Sequence, residues 1–220
     1  MDYVIDEAVL YVRRLFANDS SGHDCYHTLR VYRTALKLAE TENADRRIVS
    51  LAALLHDADD RKLSPDTCEN KDNAVRFMRE HDVPEDTIAS VVRAISEVSF
   101  SGSDSVVPTT IEGKCVQDAD RLDALGAIGI ARAFAYGGKC GRRMYDPDEP
   151  PLMGMDGETY QTHVSTSVNH FYEKLFLLKD MMNTDAGRAA AQKREAYMRE
   201  YIAEFMKEWD GEDMDGTEKE

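Results

Sequence analysis

The chain has 220 residues, with 42 acidic against 27 basic side chains, a formal net charge of −15 and 42% hydrophobic residues. That length supplies one domain with a sizeable core, and the acidic balance argues against indiscriminate binding to nucleic acid or an anionic membrane. No apolar run approaches the length that spans a bilayer, and Met1-Asp-Tyr-Val-Ile-Asp6 carries acids where a signal peptide needs bases, so a cytoplasmic protein is expected.

Helical spacing dominates and strand-like alternation is scarce, which predicts an all-α fold: one helical domain over residues 1–210 and a disordered acidic tail over 211–220. Val31, Ala35 and Leu38 form the first clear stripe, and Ile48, Ala52 and Leu55 form a second that runs directly into His56-Asp57. Pro84-Glu-Asp suits a helix start, with Ile88, Val92 and Ile95 as its apolar face. Asp120 is read as opening a later helix, with Leu122, Leu125 and Gly129 on one face and Gly126 and Gly129 small enough for close helix approach. Glycines and prolines from Tyr136 to Gly157 break the period, predicting a long loop or lid over 137–158. Its Arg142 and Arg143 are candidates to close over phosphates, although a plain surface connection is the favoured reading. Helical spacing resumes with Phe171, Leu175, Leu178 and Met182, then with Met198, Tyr201, Phe205 and Trp209, where an exposed apolar face would serve a homodimer. The cysteines Cys25, Cys68, Cys115 and Cys140 are scattered without a Cys-x-x-Cys pair and are read as free thiols.

The chemistry concentrates in four residues. His27 lies early in one helix, His56 and Asp57 end an apolar run, and Asp120 falls within Asp118-Ala-Asp-Arg-Leu-Asp123. Two neutral imidazoles and two carboxylates offer nitrogen and oxygen ligands to one divalent ion and leave positions open for water and substrate. Mn or Fe ranks first, ahead of Mg, Co, Ni or Zn. Each residue alone has an ordinary explanation, such as an exposed helix histidine or a carboxylate favoured by a helix N-terminus. The set is what gives the reading its weight.

Three segments carry a family resemblance: Gly22-His-Asp-Cys-Tyr-His27-Thr-Leu-Arg-Val31, Leu54-Leu-His-Asp-Ala-Asp-Asp-Arg-Lys62 and Gln117-Asp-Ala-Asp-Arg-Leu-Asp-Ala-Leu-Gly126. They resemble the HD-domain phosphohydrolases, over most of the chain. The resemblance extends to the branch that includes nucleotide pyrophosphohydrolases. It implies that His27, His56, Asp57 and Asp120 are metal ligands and that Asp60 is the general acid or base, although many members carry glutamate there. Only His81 lies between the dyad and Asp120, which argues for one metal ion rather than two. His23, Asp24 and Asp123 are candidates to hold ligands in place.

Phosphates need cations, and Arg30, Lys62, Arg121 and Lys174 are the candidates to bind them. A solvated ion pair is an equally good account of each. The expected function is a metal-dependent phosphohydrolase acting on a nucleotide or related small phosphoester, extending to a nucleoside triphosphate pyrophosphohydrolase. The alternatives are a nucleotidase or phosphodiesterase of the same superfamily, or a nucleotide-binding regulatory module without turnover.

Overall fold

The computed structural model describes residues 2–17, 24–60 and 66–214. Among these residues ten α-helices follow in chain order: α1 (Tyr3–Leu15), α2 (Cys25–Glu42), α3 (Arg46–Leu55), α4 (Asp72–Glu80), α5 (Glu85–Ser96), α6 (Ile111–Asp123), α7 (Gly126–Lys139), α8 (Gly157–Thr162), α9 (Ser167–Glu173) and α10 (Asp185–Asp210). No strand occurs among the described residues, so the all-α class expected from the spacing holds.

The centre of the bundle is α3, whose residues from Val49 to Leu55 are all buried. Leu51, Leu54 and Leu55 are fully shielded, each worth roughly 1.5–3 kcal/mol of burial. A helix apolar on every side must be surrounded, and α3 packs against α1, α2, α5 and α6. Its start is fixed by Asp45, whose side chain accepts from the N–H groups of Arg47 and Ile48. The other main seam joins α2 to α6. Val31, Ala35 and Leu38 of α2 and Val116, Ala119 and Leu122 of α6 are all buried in the core.

The structure corrects four element boundaries. Asp120 does not open a helix: α6 begins at Ile111, capped by the Thr110 hydroxyl on the Gly113 N–H, and Asp120 lies in its last turn. The chain then breaks at Ala124-Leu125 and restarts at Gly126, whose φ of +75° L side chains rarely adopt. A Cβ on Gly129 would come within 2.2 Å of the Ala124 carbonyl oxygen, so Gly129 serves this break, whereas Gly126 also lets the Arg194 side chain of α10 approach closely, at 3.1 Å from where its Cβ would stand. Helix α7 runs through Gly137 and Gly138 to Lys139, and α8 begins at Gly157, so the connection is shorter at both ends than 137–158. It is tied down by Ser167 and Val168 N–H groups on the Arg143 and Met144 carbonyls, and by Asn169 on the Glu149 carbonyl.

The stripe Phe171 to Met182 is not one helix. Lys174, at φ −138° and ψ −59°, ends α9, and a 3-10 helix carries Leu175–Met181 into α10. Beyond α10, Gly211 makes a left-handed cap and residues 212–214 form a short 3-10 turn, so the first part of the acidic tail is structured. Residues 215–220 lie outside the described residues.

Candidate metal centre

Three helix ends meet at the site. Asp24 precedes α2 and accepts from the backbone N–H of His27 at 2.8 Å, an N-cap that fixes the histidine in the first turn. His56 is the residue at which α3 stops. Its Nδ1 lies 2.9 Å from the Ala53 carbonyl, one of the acceptors that a helix C-terminus leaves over. Asp120 and Asp123 project from the last turn of α6.

The two imidazoles are fixed in the same sense. A carbonyl oxygen only accepts, so His56 carries its proton on Nδ1 and presents the Nε2 lone pair. The Nδ1 of His27 donates to Asp123 Oδ2 at 2.7 Å, again leaving Nε2 as the acceptor. Those Nε2 atoms converge. His27 Nε2 lies 3.3 Å from Asp57 Oδ2 and 3.4 Å from Asp120 Oδ1, and His56 Nε2 lies 3.2 Å and 3.8 Å from the same two oxygens. One ligand atom each from His27, His56 and Asp57 falls within a 4.8 Å group. His56 Nε2 is buried and makes no hydrogen bond among the described residues. Lone pairs facing carboxylates across such distances repel unless a proton or a metal ion lies between them, and two nitrogen and two oxygen donors so arranged fit a divalent ion.

The electrostatics agree. Burial opposes charging His56, but the carboxylates of Asp57 and Asp120 outweigh it and hold its pKa at about 9 when no ion is bound. Burial likewise opposes a charged His27, and Asp123, Asp57 and Asp120 raise it. The site demands positive charge, from protons or from a metal.

Asp123 is the hub behind the ligands. Besides His27 it accepts from Arg30 Nε at 2.6 Å, Arg30 Nη2 at 3.0 Å and Arg132 Nη1 at 2.7 Å. Burial works against its ionisation, yet His27 and Arg30 hold it well below the ordinary carboxylate range. Arg132 was not singled out by sequence, although it is the one charge in α7 before Lys139 and a lone charge in an apolar helix is itself a signal.

The other candidates divide. Asp60 follows the dyad on one turn, its N–H donating to the Asp57 carbonyl at 3.1 Å. Asp59, by contrast, is buried and accepts from the N–H groups of Asn73 and Ala74 at 3.0 Å each, capping α4. Arg30 gives two guanidinium nitrogens to Asp123. Arg121 is buried and donates to the Met181 carbonyl, so it anchors the 3-10 segment to α6. Lys174 lies 4.8 Å from the centre of the Phe100 ring and 5.4 Å from that of Tyr160, a cation–π position. Asp118 accepts from Asn183 and from the Thr184 N–H and hydroxyl, holding the start of α10. His23 and Lys62 lie outside the described residues. All four cysteines are unbridged. No described helix is long and apolar enough to cross a membrane.

An all-helical bundle with His27, His56-Asp57 and Asp120 drawn together defines the class, and comparison with known proteins agrees. The HD-domain family model matches residues 25–125. The chain belongs to the HD-domain superfamily. It is similar to the uncharacterized protein YpgQ of Bacillus subtilis, 39% identical over 210 residues and 92% of each chain. The crystal structure of YpgQ in complex with ADP superposes with a TM-score of 0.74, at 37% identity, covering 93% of this chain and 97% of that one. A Lactobacillus plantarum protein superposes at 0.85 with 37% identity, over 96% and 98% of the two chains. An HD-superfamily hydrolase of Bacillus thuringiensis superposes at 0.71 with 42% identity, over 94% and 96%.

Proposed function

We propose that the protein is a metal-dependent phosphohydrolase that cleaves a nucleotide, with His27, His56, Asp57 and Asp120 holding one divalent ion, Mn or Fe by preference. The observation that carries this reading is the pair of Nε2 atoms converging on Asp57 and Asp120. The ADP complex of YpgQ supports a nucleotide as the ligand class.

When bound, a divalent ion supplies Lewis acidity to a phosphoryl oxygen and makes a nearby water more acidic. The chain's residues do the rest. Asp123 and the Ala53 carbonyl keep both imidazoles in the ligating tautomer. Asp60, partly exposed on the turn after the dyad, manages the proton of the attacking water. Attack at the α-phosphorus of a nucleoside triphosphate releases pyrophosphate, and this is the preferred branch.

The test is product analysis after Mn-loaded protein is incubated with nucleoside mono-, di- and triphosphates and cyclic nucleotides, beside Asp57→Ala. Pyrophosphate with a monophosphate, lost in the variant, supports the proposal. Inorganic phosphate from monophosphates moves the protein to the nucleotidases. No turnover with Mn, Fe, Co or Mg sinks the enzymatic reading in favour of a binding module.

A further inference from the structure

Beside the metal centre lies an open cleft of about 330 Å³ that none of its four ligand residues lines. Its walls come from α2, through Arg30, Arg33 and Thr34, from the first turn of α7 after Leu125, and from Arg194 of α10. The α2 residues stand at i, i+3 and i+4, so they share one helix face. Three arginines therefore border one cleft in a chain of net charge −15.

The cations are not balanced from within. Asp123 is the one carboxylate on the wall among the described residues, and it already serves His27, Arg30 and Arg132. Arg33 is exposed and makes no ion pair among the described residues. Arg194 is held in place on both sides. Its stem packs where a Cβ on Gly126 would meet it at 3.1 Å, and its Nη1 donates to the Leu122 carbonyl. The start of α7 adds to the same field, because no side chain caps it at Leu125 and a helix N-terminus carries partial positive charge. Holding like charges together around empty solvent is unfavourable, and an oxyanion removes that cost.

From this we infer that the cleft is a second binding site, for a phosphate-class oxyanion, joined to the metal centre through Asp123 and not through the metal ligands. Arg33 and Arg194 are its main contacts, with the part of Arg30 not engaged by Asp123. Free pyrophosphate and the phosphate tail of a nucleotide share the required chemistry. The site exists whether or not the metal centre turns over.

The experiment is calorimetric titration of inorganic pyrophosphate into metal-free Asp57→Ala protein at fixed ionic strength. That background removes the metal route to pyrophosphate. Saturable one-to-one binding is expected, weakened about tenfold or more by adding Arg33→Glu, the loss of one charge-assisted contact. Arg93→Glu, the same charge change on the exposed face of α5, is expected to weaken it less than about twofold. Competition by ATP in the same background identifies a nucleotide tail as the occupant, and its failure identifies the free oxyanion. Absence of binding to Asp57→Ala, or an equal effect of Arg33→Glu and Arg93→Glu, overturns the inference. Arg33 is exposed, so its substitution leaves the fold intact.

Discussion

Replacing Asp123 by alanine tests how the metal centre is held together. The carboxylate is 6% exposed and accepts four hydrogen bonds, at 2.7 Å from His27, 2.6 and 3.0 Å from Arg30, and 2.7 Å from Arg132. Removing one member of such a buried group costs about 3–5 kcal/mol, because its partners stay behind uncompensated. Here the lower end applies, about 3 kcal/mol, since the Arg30 and Arg132 side chains are 30% and 19% exposed and regain water. For a chain of this size that lowers Tm by roughly 6–12 °C. His27 also loses the acceptor that fixes its tautomer, so Mn affinity should fall about 10–100-fold. Asp123→Asn separates the two effects. An amide oxygen can still accept from His27, so Mn affinity should fall about tenfold or less, while most of the stability loss remains because both arginines lose their counter-charge. Thermal denaturation and Mn titration by calorimetry measure the two quantities. An Asp123→Ala protein that loses stability but binds Mn within about twofold of the wild type would refute the coupling between this carboxylate and the metal.

Three further outcomes follow from the same geometry. With no ion bound, His56 has its pKa raised from 6.5 to about 9, so its stabilising contribution is complete below pH 6.5 and is lost as pH rises through 9. Metal-free protein should therefore lose up to roughly 3 kcal/mol across that window, and denaturation of Mn-loaded protein over the same pH range should show a smaller loss if the ion replaces the proton. Asp118→Ala should cost about 3 kcal/mol by exposing the start of α10, yet leave Mn affinity unchanged, whereas Asp120→Ala should do the reverse; denaturation and Mn titration of both variants decide it. Gly126→Ala should cost about 1–3 kcal/mol, because φ is +75° and the added Cβ meets the Arg194 stem at 3.1 Å, and a chemical-denaturation midpoint reads it directly.

Periodicity made the helix class legible, because buried faces such as Val31, Ala35 and Leu38 repeat at helical spacing whatever packs on them. It did not reveal where helices stop. The break at Ala124-Leu125 and the turn at Lys174 leave the apolar pattern intact, since a kink conserves which residues are buried while changing the axis. The histidines of the site were legible because imidazole beside carboxylate in an apolar setting is rare. The arginines were not: Arg30, Arg121 and Arg132 are all close in sequence or space to the site, but whether each faces a ligand, a carbonyl or Asp123 is decided by tertiary contacts that spacing does not encode.

The stretch Asp118-Ala-Asp-Arg-Leu-Asp123 shows how one helix turn serves two structural purposes. At about 100° per residue, Asp120 and Asp123 stand about 60° apart, while Asp118 stands about 160° from Asp120. Asp120 and Asp123 accordingly meet His27 of α2, one beside Nε2 and the other at Nδ1. Asp118 points to the opposite side and receives Asn183 and Thr184 at the head of α10, where a Cβ on Gly187 would come within 2.5 Å of its Oδ2. Arg121, buried between them, fixes the Met181 carbonyl just before that head. Helix α10 in turn delivers Arg194 to the carbonyl of Leu122, one residue before Asp123. The C-terminal helix is thus attached to α6 at Asp118, Arg121 and Leu122, on either side of the residue that faces the metal centre.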